Sequence, residues 1–243
     1  MTEPRTRQTA NSLYLPPCTI QTSFALPAKR LLLVLGGRAP ATSWLQQMGR
    51  NLPVWAIDHG LDACRAASIV PQRLIGDGDS AHPDSWDWAK KQGVPIDKFQ
   101  REKDDTDTQL ALRTASEAAH GQATLLLTGA FGGRFDHAYS TIFSASRAQV
   151  PVVLADEKEA CCFLHAGESL RITCKQHPKA FSLLPLTDAV TGVTLQGAHW
   201  PLADATLTQA CPNAISNELE SADNALSLSI RSGILAVYCC WQE

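Results

Sequence analysis

No apolar run in these 243 residues approaches the roughly 20 that a membrane-spanning helix needs. The first residues, MTEPRTRQTANSLYLPPCTIQ, carry charges with no continuous apolar stretch behind them, so a soluble, cytoplasmic protein is expected. An excess of one charge is missing too. With 24 acidic against 21 basic residues the net charge is -3, which gives no electrostatic reason for a nucleic-acid or membrane partner and points to a small one. Eight cysteines are present but no C-x-x-C, so neither a zinc site nor a regular disulfide framework is suggested, and buried free thiols are expected. Internal repeats and low-complexity segments are absent. The chain is 44% hydrophobic, which excludes disorder and suits one large domain or two modest ones.

The hydrophobic residues that are there change their spacing along the chain. From Lys29 to about Asp156, the short runs RLLLVLGG, VWAID, RLIGD, ATLLLTG and VPVVLAD are apolar nearly throughout, as in strands covered on both faces. Helical patterns lie between them, such as Asp107 to His120 with a stripe of Ala111, Ala115 and Ala118 beside Leu112 and Ala119. This rhythm predicts a mostly parallel, Rossmann-like α/β sheet over 29–157, following a leader over 1–28. Beyond a short linker near Asp156 to Lys158 the period becomes two. Leu170, Ile172 and Cys174 alternate with polar residues, as do Leu226, Leu228 and Ile230, and AGE, TDAVTG and SADN read as turns. An antiparallel β-sandwich is expected over 158–243.

Ligands of open parallel sheets sit beyond the carboxyl ends of the strands, and here those ends are acidic. Asp58 follows the second run, Asp77 and Asp79 follow the third, and EKDDTDTQL sets Asp104, Asp105 and Asp107 at the start of a helix. Asp105 or Thr106 could instead cap that helix, with Asp107 favoured by its dipole. The Asp77–Gly78–Asp79 pair is harder to read as a turn, because two carboxylates at a buried strand end raise each other's pKa unless a cation holds them ionised. Magnesium takes oxygen ligands from one or two carboxylates together with substrate phosphates. In LLLTGAFGGRFDHAYS, Gly129, Gly132 and Gly133 allow close backbone approach before a helix expected near Phe135. Arg134 adds a charge suited to phosphate, and Asp136 and His137 a further metal or nucleotide contact, unless Asp136 merely caps a turn.

GDGDS, KDDTD and GGRFDH, in this order and spacing, resemble the signature segments of thiamine pyrophosphokinase. GAHWPL (197–202) is similar to that family's aromatic-bearing strand and ISNE (215–218) to its later Ser-Asn segment, so the resemblance runs roughly from Leu31 to Tyr238. It implies a homodimer whose α/β domain binds magnesium and ATP and whose β domain helps to enclose thiamine at the subunit interface. Position by position, Asp77 and Asp79 match the metal-binding pair and Asp107 the acidic residue ending the next motif. These three are the expected catalytic and metal-binding residues. Asp58, Lys103, Asp104, Arg134 and Asp136 are expected around ATP, and Trp200, Ser216 and Asn217 around thiamine. The sequence departs where AIDHGLD stands in place of an Asp-Gly-Gly-Ala-Asn run: Asp58 and Gly60 are kept, whereas His59 and Asp62 are not the usual residues.

An indole at Trp200 can stack on a flat aminopyrimidine or on a cationic thiazolium, although a core tryptophan would satisfy the same pattern. Ser216 and Asn217 could equally close a hairpin. The implied reaction is transfer of the diphosphoryl group of ATP to the thiamine hydroxyl, giving thiamine diphosphate and AMP. Its rivals are a diphosphokinase acting on another hydroxyalkyl heterocycle such as a pterin, a metal-dependent phosphohydrolase, and a non-catalytic nucleotide- or thiamine-binding regulator.

Overall fold

The structure, a computed structural model, describes residues 11–76, 81–98 and 104–242. Asp77, Asp79 and Lys103 lie outside these described residues. In chain order the first elements are β1 (Ser12–Tyr14), β2 (Cys18–Thr22), β3 (Arg30–Val34), α1 (Thr42–Gly49), β4 (Val54–Ile57), α2 (Gly60–Ala66), β5 (Arg73–Gly76), α3 (Pro83–Lys91) and β6 (Ile96–Lys98). Then come α4 (Asp107–Ala118), β7 (Thr124–Thr128), α5 (Phe135–Ser146), β8 (Val152–Ala155), β9 (Glu159–Leu164) and β10 (Ser169–Cys174). The chain closes with β11 (Ala180–Pro185), β12 (Ala189–Gln196), β13 (Leu202–Thr208), β14 (Ala225–Ser229) and β15 (Leu235–Cys240).

The five apolar runs become β3, β4, β5, β7 and β8, and every residue of β4, β7 and β8 is buried. Continuous apolar sequence is what a strand covered on both faces requires. One face is covered by α1, α2 and α3, whose Trp44, Leu45, Leu61, Cys64, Trp86 and Ala89 pack with Leu32, Val34, Val54 and Leu74. The other is covered by α4 and α5, where Ala111, Leu112, Ala115 and Ala145 meet Leu31, Leu33, Ile57 and Leu127. Ala118, expected on the buried stripe of α4, is exposed; the helix turns Leu110 inward instead, so the stripe lies one position round from the expected line.

The strands of the larger sheet run β11-β15-β9-β8-β7-β3-β4-β5-β6. From β8 to β6 all neighbours are parallel. After β3 the chain builds outward through β4, β5 and β6, then crosses back to lay β7 and β8 on the other side of β3. The order therefore reverses between β3 and β7. Asp156 to Lys158, read from the sequence as a linker, is the turn of an antiparallel β8–β9 hairpin, so the ladder continues unbroken into β15 and β11.

The second sheet, β1-β2-β10-β14-β12-β13, packs its buried face on the antiparallel wing of the first. Leu170, Ile172, Leu226 and Leu228 there meet Cys162, Phe181, Leu183 and Val237 across the sandwich, following the period-two pattern. Residues 12–22, in the expected leader, supply two strands of this sheet, with β2 paired to β10 from Thr22↔Leu170 to Cys18↔Cys174. TDAVTG is only partly a turn: β12 starts at Ala189 and carries a bulge after Val190. Six of the eight cysteines are buried, Cys211 is exposed, and all are free thiols.

Candidate active site

Where the strand order reverses, the carboxyl ends of β3 and β7 frame a cleft of about 540 Å³. Its floor is backbone. Beyond the two strands the chain stays paired through Leu35 N–H to Thr128 O (2.7 Å), Gly37 N–H to Gly129 O (2.8 Å) and Arg38 N–H to Phe131 O (2.7 Å). Gly129 has φ +65°, and a Cβ there would lie 2.2 Å from the Leu35 carbonyl oxygen, so only glycine lets the two segments close on each other. The Gly36–Gly37 pair was not singled out from the sequence, although two glycines directly after a buried strand were its signal.

The walls come from the strand ends and two helix starts. Asp58 leaves β4 with φ +52°, donates its N–H to Ile75 O at 2.8 Å and lines the cleft beside His59. Gly76, the last residue of β5, is so close that a Cβ there would meet Asp58 Oδ1 at 2.5 Å. Asp105, Thr106 and Asp107 bring in the start of α4. Thr106 caps it: its hydroxyl accepts from Gln109 N–H, and the Gln109 side chain accepts from Thr106 N–H at 2.8 Å. Capping by Thr106 leaves Asp107 in the first turn on the cleft wall, while Asp105 pairs with Arg113 at 2.7 Å. Asp104 is exposed and lies off the lining of this cleft.

Opposite, the start of α5 contributes Arg134, the residue just before the helix, and His137 in its first turn. Arg134 holds Asp136 through a two-point contact, Nη2 to Oδ2 at 2.6 Å and Nε to Oδ1 at 3.1 Å, in full solvent. The hydrogen bond from Arg134 keeps the Asp136 carboxyl below its ordinary range. Asp136 thus stands as the partner of Arg134 at the mouth, not as a wall of the cleft. The loop with the unusual residues is braced: His59 Nδ1 lies 3.1 Å from Asp62, whose carboxylate accepts from His82 N–H at the start of α3.

A network with no signature in the sequence ties the segment after β3 to the turn and strand that follow β8. Arg38 Nη2 donates to Asp156 Oδ2 and to Glu159 Oε2, both at 2.6 Å, and the Tyr238 hydroxyl donates to Glu159 Oε1. Asp156 is itself buried and accepts from Lys158 and Glu159 N–H at 2.8 Å. Burial works to lower the Arg38 pKa, but the hydrogen bonds to both carboxylates outweigh it and raise it. The charge of Arg38 is therefore spent on its partners.

A second concavity, of about 670 Å³, lies along the edge strand β11 and is lined by Trp200, Ile215, Ser216 and Asn217 together with Leu183 and Leu202. Trp200 is 56% exposed, which removes the core reading. It sits in the connection between β12 and β13, not on a strand. Ala214 to Asn217 runs along β11, with Phe181 and Asn217 exchanging backbone bonds of 2.9 and 2.8 Å and Leu183 N–H reaching Ala214 O at 2.8 Å. Ser216, at φ +55°, donates its N–H to Ser182 Oγ. The three residues expected around thiamine are thus brought together, with Ile215 as an exposed apolar neighbour.

Among the described residues no three His, Cys, Asp or Glu side chains converge as a metal site, and no helix is long and apolar enough to cross a membrane. The family model for the thiamin pyrophosphokinase catalytic domain matches residues 47–154, and that for its vitamin B1 binding domain matches 169–235. Thiamine pyrophosphokinase of Bacillus subtilis is 28% identical over 211 residues, covering 85% of this chain and 96% of its own. The crystal structure of thiamine pyrophosphokinase from B. subtilis superposes with a TM-score of 0.76 at 23% identity, over 88% of this chain and 100% of that one. A thiamin pyrophosphokinase family protein from Enterococcus faecalis gives 0.73 at 25%, over 88% and 100%. With the two models together covering most of its length, the chain belongs to the thiamin pyrophosphokinase family.

Proposed function

We propose that this chain transfers the diphosphoryl group of ATP to the hydroxyethyl oxygen of thiamine and releases AMP. The observation that carries the reading is the cleft at the reversal of strand order, where glycine backbone, two helix starts, Arg134 and the acidic residues Asp58 and Asp107 line one space. A magnesium triphosphate suits that mixture, with amides and guanidinium for phosphate oxygens and carboxylates for the cation. The strand order supports a Rossmann-like description of 29–157 as the catalytic part, with thiamine and dimer contacts in 158–243.

Carboxylates are the hard oxygen donors that magnesium takes, so the residues present fit it. Asp107 would hold it with Asp77 and Asp79, the remaining positions falling to phosphate oxygens and water. Bound there, the ion would neutralise charge on the triphosphate. The chain's own part is positioning. Arg134 and the first amides of α5 would hold phosphate oxygens, with Lys103, Asp104 and Asp136 about the nucleotide. The glycine floor lets the backbone approach closely, and Asp77 or Asp79 would accept the hydroxyl proton as the oxygen attacks the β-phosphorus. The eight free thiols fit a reducing compartment such as the cytoplasm.

Geometry also supports a homodimer. β11, which bears the Trp200 groove, lies four strands from β7, which at about 4.8 Å per strand is roughly 20 Å. Among the described residues none lines both concavities, so a second copy would bring thiamine to the triphosphate. The test is product analysis: AMP, not ADP, should form only when ATP, magnesium and thiamine are all present. Asp107→Asn chains, expected to be inactive, and Trp200→Ala chains, expected to be nearly inactive at low thiamine, should together regain activity at low thiamine once refolded as a mixture. AMP formation without thiamine, or with a pterin alcohol in its place, would overturn the substrate assignment. Failure of hybrid dimers to regain activity would overturn the shared site.

A further inference from the structure

The resemblance sets Asn217 against thiamine, yet the hydrogen bonds of its side chain run elsewhere. Its Oδ1 accepts from Trp200 N–H at 3.2 Å and from Glu218 N–H at 2.8 Å, and its Nδ2 donates to Trp200 O at 2.9 Å. An amide oxygen has two lone pairs and an amide nitrogen two hydrogens, so one N–H is all that remains for any other partner. Both backbone groups of Trp200 are thereby tied to one side chain, although Trp200 belongs to no strand.

A second brace acts on the ring. The imidazole of His199 stands edge-on to the indole, with centroids 4.4 Å apart and planes at 86°. Glu220 holds that imidazole through Nδ1 at 2.9 Å. The backbone beneath is paired as well, His199 N–H to Glu218 O and Glu220 N–H to Gly197 O, both at 2.9 Å. A large aromatic that is more than half exposed would ordinarily sample several orientations. Here its main chain is fixed on both sides and its ring is flanked, so little freedom is left to lose when a flat ring stacks on it.

We propose that Asn217, with the His199–Glu220 pair, is a positioning residue: it presents the Trp200 indole as a preorganised stacking platform for a flat cationic ring and acts through Trp200, not by contact with the ligand. The ligand named here rests on the proposed function, whereas the clamp itself does not. Loss of the clamp should return ordering cost to binding, so Asn217→Ala should weaken thiamine roughly three- to tenfold in calorimetric titration, with ATP affinity unchanged. Trp200→Ala should weaken it about fivefold or more. The double variant should match Trp200→Ala within about twofold, because a platform that is gone cannot be mispositioned. A double variant weaker than Trp200→Ala by the full Asn217 factor would make Asn217 a direct ligand contact and overturn the proposal, as would wild-type affinity in Asn217→Ala.

A readout free of ligand separates the two readings. The Trp200 Nε1–H signal, assigned by its loss in Trp200→Ala, should show a lower heteronuclear NOE in Asn217→Ala. An unchanged NOE would overturn the clamp. A lowered NOE in a protein that binds no thiamine would uphold the clamp and sink the substrate. Should Asn217→Ala fail to fold, His199→Ala serves in its place, since His199 is half exposed and the same loss of indole order and thiamine affinity is expected without a change in Tm.

Discussion

Replacing Gly129 by alanine tests whether the cleft depends on close approach of two backbones. The new Cβ would stand 2.2 Å from the Leu35 carbonyl oxygen and 3.0 Å from its carbon, both main-chain atoms that cannot rotate away. An ordinary C···O contact is about 3.3 Å, so the ends of β3 and β7 must part by roughly 1 Å. The left-handed φ costs alanine about 1–2 kcal/mol, overpacking about 1–3 and the strained Gly37 to Gly129 hydrogen bond about 0.5–1.5, so a loss of about 3–6 kcal/mol is expected. For a chain of this size that lowers Tm by on the order of 10–20 °C. A displacement of that scale at the floor proposed to hold phosphate should also raise KM for ATP at least about tenfold. Gly93 provides the control, because its φ is +71° and nothing lies within 4 Å of the position a Cβ would take. Gly93→Ala therefore carries the backbone cost alone, a few degrees in Tm with unchanged kinetics. Calorimetric scans and initial rates at varied ATP measure both. Equal Tm shifts in the two variants, with wild-type KM for ATP in Gly129→Ala, would refute the close-approach argument.

Two further outcomes follow from buried groups. Arg38→Met should cost about 3–5 kcal/mol in urea unfolding, because the Asp156 side chain is fully buried and would lose its cationic partner; adding Asp156→Asn should recover part of that, and no recovery would mean that the pair is not the source. Burial, aided in Cys18 by Cys174, pushes the Cys18, Cys64 and Cys161 thiols from 9.0 up to about 12, and burial pushes Cys174 up to about 11. These raised values favour the folded state below pH 9, and the unfolded chain releases thiol protons first above it. Stability should therefore hold to pH 9 and fall from there until about pH 11 for Cys174 and about 12 for the other three, by up to about 1.4 kcal/mol per pH unit and thiol; a flat urea midpoint to pH 10.5 would contradict it.

What the sequence disclosed and what it hid follow one physical division. Strands buried on both faces must be apolar throughout, so β3, β4, β5, β7 and β8 could be read directly, as could the alternation of β10 and β14. Local chemistry was also legible: glycines after β7, a cap before α4, acidic residues at strand ends. Long-range pairing was not. Nothing in SLYLPPCTIQT shows that it will pair with β10 more than 140 residues away, since a half-buried strand accepts any partner of matching pattern. The same holds for Arg38, whose carboxylate partners lie 118 and 121 residues away. The Asn217 amide looks like a turn or ligand residue in sequence, and only its distances to both backbone groups of Trp200 reveal the clamp.

Joining β8 to β9 by a hairpin, where a short linker was expected, alters how the cleft is held. Phe131 lies in the glycine segment that walls the cleft, and its ring meets the Tyr238 ring edge-on with centroids 6.2 Å apart. Tyr238 sits on β15 and donates to Glu159 on β9, which also receives Arg38 from the end of β3. Both arms of the glycine floor are thus fastened to strands from the C-terminal half. Tyr238 is in turn directly paired with Ser182 on β11, whose hydroxyl receives the Ser216 N–H at the edge of the Trp200 groove. A sheet is stiff along its hydrogen-bonded direction because every strand is held by its neighbours. One continuous sheet therefore fixes the cleft and the groove at a constant offset within each chain. In the homodimer proposed above, that rigidity would let a two-fold axis set the distance between the cleft of one copy and the groove of the other once, without either half having to move.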